Sequence, residues 1–102
     1  MWPWRRRGRM GRPPKPRRLS RRYAPTIYIP SVGGVPMADR PPVIVTPDEV
    51  EALRLVYYLG LSQSEAAERM GVSRGTLWRL LSSARRKVAT ALAEVRPIEI
   101  AP

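Results

Sequence analysis

The 102-residue sequence predicts a mainly α fold with a core of three helices, preceded by a basic extended arm. Two observations carry this prediction. Between residues 46 and 95, three helix N-cap residues are each followed by apolar residues at helical spacing. Before that region, the chain holds most of its 12 prolines and most of its excess charge, without a periodic apolar pattern. We therefore divide the chain into an arm (1–22), a Pro-rich extended segment (23–46) and a helical domain (47–102).

The arm is rich in arginine, proline and glycine and too poor in apolar residues to fold alone. Residues 1–40 contain 11 basic residues and one acidic residue, whereas residues 41–102 contain 8 basic and 7 acidic residues. This excess of positive charge favours nucleic acid as a partner, because neutralised phosphates release their counterions. The arm residues that we expect to contact nucleic acid are Arg9, Arg12, Lys15, Arg17, Arg18, Arg21 and Arg22.

Two interpretations of the arm are open. Gly11, Arg12 and Pro13 resemble the core of an AT-hook, which lies in narrow A·T minor grooves. Met10 stands where that core has its first arginine, so we favour a generic polybasic contact with phosphates. Met10 could also be the native start, in which case residues 1–9 would not belong to the protein.

The Pro-rich segment 23–46 predicts short extended pieces, because prolines interrupt its apolar residues and cannot donate to a sheet. One piece lies around residues 27–29 and a second is Val43–Val45, with a Gly-Gly turn signal between them. The two pieces either pair as β-strands or lie across the helices. The alternating residues 98–100 predict one more short strand near the C terminus.

The first helix begins at a capping box in which Thr46 is the N-cap, Pro47 the first helical residue and Glu49 the third. It runs to a stop at Gly60. Its apolar stripe consists of Val50, Leu53, Leu55, Val56 and Leu59. We expect Tyr57 and Tyr58 to lie in the core and at its rim. The helix also carries three acids in its first turns, Asp48, Glu49 and Glu51, which suit the positive end of the helix dipole and for which we expect no basic or metal partner.

The second helix begins at another capping box, Ser62 with Glu65, and ends at Gly71. Ser73 caps the third helix, which we expect to reach about Glu94. The basic run 85–87 complements the dipole at the end of this helix and is placed to meet phosphate. The apolar stripe of the third helix consists of Leu77, Leu80, Leu81, Ala84, Val88, Ala91 and Leu92.

The short second helix, the glycine turn and the longer third helix form a helix-turn-helix pattern. Ala67 has to be small where the helices cross, and Gly71 supplies the left-handed backbone of the turn. Val72, Leu77 and Leu80 fill the wedge between the helices. In this motif the first half of the recognition helix enters the major groove, where arginine binds guanine with two hydrogen bonds. The residues expected on that face are Ser73, Arg74, Gly75, Thr76, Trp78, Arg79, Ser82 and Arg86.

The composition excludes several classes of protein. The sequence has no Cys and no His, which excludes disulfides, thiol nucleophiles, imidazole bases and the commonest zinc ligands. No apolar run approaches the ~20 residues of a membrane span. We expect no enzymatic activity, no catalytic residue, no metal, no cofactor and no membrane partner. The expected location is the cytoplasm, in association with the nucleoid.

The helical region resembles the small prokaryotic family DUF134 (UPF0251), whose members are predicted DNA-binding proteins. The segments that carry the resemblance are DEVEALRL at 48–55, QSEAAERMGVSRGT at 63–76, RLL at 79–81 and ARRKVA at 84–89, with GRPPKPRR at 11–18 and IYIPSVG at 27–33 upstream. The resemblance implies a helix-turn-helix like that of region 4 in sigma-70-type factors. The chain departs from the family at Leu19 and Ser20, where many members have a cysteine, and Gly75 and Trp78 fill variable positions.

These observations together predict sequence-specific binding of double-stranded DNA in transcriptional regulation, by a monomer or a homodimer. One alternative is an RNA-binding or ribosome-associated protein, because arginine-rich arms also bind RNA. A second is an architectural, non-specific DNA binder. The third is a protein-interaction module that docks on RNA polymerase or on a second copy. An exposed Trp78, or a dimer that depends on Val88, Ala91 and Leu92, would favour this third alternative.

Overall fold

The helices begin at the N-caps that the sequence predicts. The computed structural model describes residues 24–101, in which the α-helices are α1 (Pro47–Leu53), α2 (Gln63–Met70) and α3 (Arg74–Glu94). Each N-cap side chain accepts a hydrogen bond from the backbone N–H three residues later; these caps are Thr46, Ser62 and Ser73. Both capping boxes are formed, so the predicted helix starts are confirmed. Together with the π-helical segment Arg54–Tyr58, these helices hold more than half of the described residues, which makes the fold mainly α.

The end of the first helix differs from the regular α-helix that the sequence predicts. The π-helical segment Arg54–Tyr58 follows α1 directly, and the Leu59 N–H donates to the Arg54 carbonyl over 2.9 Å. The wider turn adds one residue to the register of the helix. As a result, the apolar stripe ends early and the expected core positions of Leu59, Tyr57 and Tyr58 are wrong, since all three side chains lie exposed.

The core forms where α1, α2 and α3 meet. Its buried members are Ala52, Leu55, Ala66, Ala67, Met70, Leu77 and Leu81. Val72 and Leu80 pack partly buried against them, as the helical pattern predicts. Gly71 ends α2 with φ 71° and ψ 34°, the left-handed conformation expected of it. Only three residues, 71–73, separate α2 from α3, and α3 is held by buried side chains of both preceding helices.

Five short strands complete the fold: β1 (Thr26–Tyr28), β2 (Ser31–Val32), β3 (Val35–Pro36), β4 (Val43–Val45) and β5 (Ile98–Ile100). The three-stranded sheet has the order β1-β5-β4, with β5 antiparallel to β1 and parallel to β4. The separate hairpin β2–β3 turns at Gly33 and Gly34, both with positive φ. The predicted extended pieces are therefore strands, but they pair with β5 from either side instead of with each other.

The sheet packs against the second half of α3. Val43, Val45 and Ile100 are buried, whereas Ile44 between them is exposed, so one face of the sheet covers the helix. Arg40 donates to the carbonyls of Glu94 and Val95 at 3.1 and 3.3 Å, at the negative end of the α3 dipole. The helix ends at Glu94, as predicted, and is closed there by the sheet and by this arginine.

The last apolar position of α3 departs from the prediction. Ala91 is buried, but Leu92 is 74% exposed. One residue along an α-helix turns the side chain by about 100°. Leu92 therefore leaves the face that the sheet covers, and the buried stripe of α3 ends at Ala91. None of the helices in residues 24–101 combines the length and apolar character that a membrane crossing needs.

Candidate nucleic-acid interface

The outward surface of the first half of α3 is formed by residues that alternate with its buried ones. At about 100° per residue, an arc of roughly 140° carries, in order, Arg74, Trp78, Ser82, Gly75, Arg86 and Arg79. Leu77 and Leu81, both fully buried, lie just beyond the Arg74 edge of this arc, about 60° and 20° from Arg74 around the helix. We call these six outward residues the α3 arc. Because the core side of α3 is fully packed, the arc is presented from a rigid support.

The α3 arc is open to solvent. Arg74, Gly75, Arg79 and Arg86 are exposed, and the indole of Trp78 is 55% exposed. Ser82 is half-buried. From Arg74 to Arg86 the helix rises ~18 Å, which matches roughly five base pairs of DNA at ~3.4 Å each. A helix of ~10–12 Å diameter fits a major groove ≈12 Å wide.

The three arginines of the arc are free to bind an anion. Among residues 24–101, the guanidinium groups of Arg74, Arg79 and Arg86 take part in no hydrogen bond or ion pair. The only acid within α3 is Glu94 at its far end, where it pairs with Arg96 at 2.8 Å. The arc is therefore positively charged over its whole length, with no carboxylate of its own helix to neutralise it.

Ser73 and Thr76, which the sequence also assigns to this surface, are used at the start of α3. The Ser73 hydroxyl accepts the backbone N–H of Thr76 and donates to the Thr76 hydroxyl, both over 3.0 Å. Ser73 is exposed and Thr76 half-buried. Both residues therefore fix the first turn of the helix, and Ser73 lies at its solvent-facing tip.

Gly75 has no structural requirement for glycine. Its φ is not in the positive range, and an added Cβ would meet only Arg79 Nη1 and Ser73 Oγ, each at 3.9 Å. That separation is ordinary van der Waals contact. Since glycine weakens a helix by about 0.5–1 kcal/mol relative to alanine, the residue costs stability without a packing benefit. It does leave the backbone of the arc uncovered toward solvent.

A polar contact that the sequence did not predict joins α1 to α3. The expectation that the acids of the first helix lack a basic partner is wrong for two of them. Glu51 lies 4.0 Å from Arg54 Nη1. The Glu49 carboxylate accepts Lys87 Nζ at 2.8 Å, the Thr46 N–H at 2.9 Å and the Ser83 hydroxyl. Burial of the Glu49 carboxylate raises its pKa. The hydrogen bonds from Lys87, Ser83 and Thr46 and the charge of Lys87 lower the pKa by more than burial raises it, so the net shift is downward. No sequence signal links these positions, because they are 34 to 38 residues apart.

The three residues of the basic run 85–87 each have a different environment. Lys87 forms an ion pair with Glu49, a partner that the sequence did not predict for this run. Arg85 lies with its guanidinium 5.9 Å from the ring centre of Tyr57 and hydrogen bonds to the Tyr57 hydroxyl. Arg85 is exposed within the same angular range as the α3 arc, but it is held by Tyr57, so of the three only Arg86 offers an unpartnered guanidinium there. The seven basic residues predicted in the arm lie outside the described residues.

The described residues contain no group of three acidic side chains placed to hold a metal ion. The structure thus defines a small, mainly α chain whose longest helix presents an exposed row of arginines.

The family model described as "Protein of unknown function DUF134" matches residues 6–101, and the chain belongs to this family. A UPF0251 protein of Pyrococcus horikoshii is 58% identical over 74 residues, which are 72% of this chain and 64% of the relative. The UPF0251 protein of Pyrococcus furiosus is 62% identical over 63 residues, 62% of this chain and 58% of the relative. That of Methanosarcina acetivorans is 48% identical over 90 residues, 88% and 79% of the two chains. The chain thus spans 56–64% of the length of its Pyrococcus and Thermococcus relatives. No solved structure matches the chain.

Proposed function

We propose that this protein binds double-stranded DNA in a sequence-dependent way through a helix-turn-helix made of α2, residues 71–73 and α3, similar to that of sigma-70 region 4. The observation that carries the proposal is the α3 arc, in which three arginines without partners lie along the exposed side of a rigidly packed helix. A chain of this kind acts as a regulator of transcription at the nucleoid, and no catalytic chemistry or cofactor is part of the proposal.

The contacts follow from the order of residues along the arc. The first half of α3 lies in the major groove, where Arg79 donates two hydrogen bonds to a guanine. Arg74 and Arg86, which are the first and last arc residues along the helix axis, bind the phosphates on either side of the groove. Gly75 lets the helix backbone approach the bases, and the Trp78 ring contacts a thymine methyl group. Arg69, exposed in the last turn of α2, is placed for a further phosphate.

The arm adds affinity that does not depend on sequence. Each phosphate contact steepens the dependence of log affinity on log salt by about 0.9 for duplex DNA. Removal of residues 1–22 should therefore weaken binding to every duplex and flatten the salt dependence. A salt dependence that stays unchanged after this truncation would exclude the arm from the interface.

The experiment that tests the proposal is a selection from random duplex DNA at physiological salt, with excess structured RNA as competitor. Enrichment of one short motif would support base recognition. Retention of duplexes without a motif, or with A·T content alone, would favour an architectural role in which the arm dominates. Loss of the protein to the RNA would favour the RNA-binding alternative.

A matched pair of variants then assigns the recognition residue. Arg79→Ala should weaken binding to the selected site by ~1–3 kcal/mol and relax its preference at one base pair. Arg69→Ala removes the same charge from α2 and should weaken all sequences alike. If Arg79→Ala also weakens all sequences equally, Arg79 contacts phosphate and does not read a base.

The exposure of Trp78 favours a second function, because large exposed aromatic side chains are typical of protein interfaces. On this alternative, the arc docks on a protein such as RNA polymerase. Trp78→Ala separates the two: loss of DNA affinity supports the DNA interface. Retained DNA affinity together with loss of polymerase binding supports docking on the polymerase.

A further inference from the structure

A second surface lies at the other end of α3 from Arg74. An open groove of about 230 Å³ runs between β1 and the last turns of α3. One wall is formed by Tyr28, Ile29 and Pro30, and the other by Ala91, Leu92 and Val95. These lining residues are almost all apolar. An exposed apolar surface of this kind is often a binding surface.

The strand beside this groove has an unpaired edge. In the order β1-β5-β4, β1 pairs with β5 on one side, and no other strand of the described residues pairs with its second side. Its residues Ile27 and Tyr28 are about half exposed, on opposite faces of the sheet. An apolar edge strand is a ready template for another strand, because its backbone N–H and C=O groups are unpaired.

We propose that a second copy of this chain covers the groove and the β1 edge, and that the protein is a two-fold symmetric dimer. The two β1 strands pair antiparallel about an axis at Ile27 and join the two sheets into one of six strands. Each copy offers both halves of the contact: Leu92, which protrudes with 74% exposure, and the groove beside it. A two-fold interface requires such a self-complementary surface.

The charge of the surface favours a second copy over an acidic or basic partner. Among the described residues that line the groove, Arg96 is the one with a charged side chain, and its guanidinium is already bound to Glu94 at 2.8 Å and to the carbonyls of Pro41 and Pro42. The described lining of the groove therefore carries no unpaired charge, although Arg40 binds backbone carbonyls at the adjoining end of α3 and the whole chain has a formal charge of +11. Two copies can meet along this lining without bringing unpaired charges of the lining residues together.

The exposed apolar area supplies a large part of what a dimer needs. Ile27, Tyr28, Ile29 and Leu92 together expose on the order of 400 Å² of apolar surface. A standard homodimer interface buries roughly 800 Å² per partner, of which ≈65% is apolar. The backbone of the paired edges and the half-exposed Val32 and Val35 of the adjoining hairpin are available for the remainder.

This inference does not rest on DNA binding, and it is tested on the purified full chain by sedimentation equilibrium. At micromolar concentration we expect twice the chain mass of 11.6 kDa. Leu92→Glu should raise the dimer dissociation constant at least about tenfold, because it places a charge in an apolar contact. The matched control is Tyr58→Glu, which adds the same charge at an 82% exposed aromatic position away from the groove and should leave the dimer intact. Circular dichroism should show equal helix content in both variants.

Cross-linking tests the register of the proposed strands. The chain has no cysteine, so a single introduced cysteine reports one contact. Residues directly opposite in an antiparallel pair have Cβ atoms ~4.5–5.5 Å apart, so Ile27→Cys should oxidise to a disulfide-linked dimer and Tyr58→Cys should not. A monomeric wild-type chain, a dimer that survives Leu92→Glu, or a dimer lost in Tyr58→Glu would each overturn the proposal.

Discussion

The contact between Glu49 and Lys87 predicts a specific loss of stability in acid. The Glu49 side chain belongs to α1, is 7% exposed, and accepts hydrogen bonds from Lys87 and Ser83 of α3. It also closes the capping box with the Thr46 N–H. Glu49→Gln keeps the size of the side chain but removes its charge. The change therefore weakens both the start of α1 and the link between the two helices.

The magnitude follows from the burial of the two partners. Charge-assisted hydrogen bonds contribute about 1.5–3 kcal/mol, and glutamine retains part of the bonding, so Glu49→Gln should lower the free energy of unfolding by about 1–2 kcal/mol. Lys87→Met leaves a buried carboxylate without its cation, which costs ~3–5 kcal/mol in a fully buried pair. Since 32% of the Lys87 side chain is exposed, we expect about 2–3 kcal/mol.

The pH dependence of this effect has a defined sign. The pKa of Glu49 is lowered from its ordinary value of 4.5, so its ionised form stabilises the folded state. That contribution is fully present above about pH 4.5 and is lost as the pH falls through the folded pKa. The difference in stability between wild type and Glu49→Gln should therefore be constant from pH 7 to about pH 5 and shrink at lower pH.

Urea unfolding followed by far-ultraviolet circular dichroism at pH 7, 5, 4 and 3 measures this difference. Glu94→Gln is the matched control, because Glu94 forms an ion pair of the same 2.8 Å length but its side chain is 58% exposed. We expect that control to change the stability by at most about 1 kcal/mol. A difference for Glu49→Gln that stays constant or grows below pH 4 would refute the assigned role of the carboxylate.

Three further predictions concern α3 and its surroundings. Gly71→Ala should destabilise the fold by ~1–2 kcal/mol, because residue 71 has a left-handed backbone. Gly75→Ala should stabilise the fold by about 0.5–1 kcal/mol and weaken DNA binding. If thermal unfolding shifts in the same direction for both variants, this assignment is contradicted. Leu77→Ala should cost ~2–5 kcal/mol in urea unfolding, and Trp78→Ala less than about 0.5 kcal/mol, because adjacent positions face the core and the solvent. Leu92 lies about 24 Å along α3 from the first turn of the helix. If the dimer forms there, the selected DNA motif should be two-fold symmetric, with half-site centres about 10 base pairs apart. A spacing of about 20 base pairs would be too long for the two α3 helices of such a dimer to span.

The sequence predicted the helical core well because the signals involved are local. A cap such as Ser62 acts on an N–H three residues away, and Gly71 acts on its own backbone, so neither depends on the rest of the fold. The α3 arc was predictable for the same reason, since the periodicity of one helix separates Leu77 and Leu81 from the outward positions. The sequence could not show which of these outward side chains are bound to other residues of the chain; only the structure shows that.

Other features depended on contacts between distant segments. Glu49 and Lys87 are 38 residues apart. The strand β5 pairs with both β1 and β4, although it follows them only after all three α-helices. The exposure of Leu92 also depends on distant segments. The sheet covers Ala91 but does not reach Leu92, and the apolar stripe in the sequence does not contain this information. The π-helical turn at residues 54–58 likewise changes the register of a helix whose residue pattern is that of an ordinary α-helix.

The sequence by itself determined where the helices begin, how α2 ends, and which side of α3 carries arginine, because each follows from interactions within a few residues. The tertiary structure alone decided which buried carboxylate receives a lysine, which strand lies at the centre of the sheet, and which apolar side chains stay exposed. Those outcomes depend on how elements far apart in the chain pack together, and a local residue pattern does not contain that information.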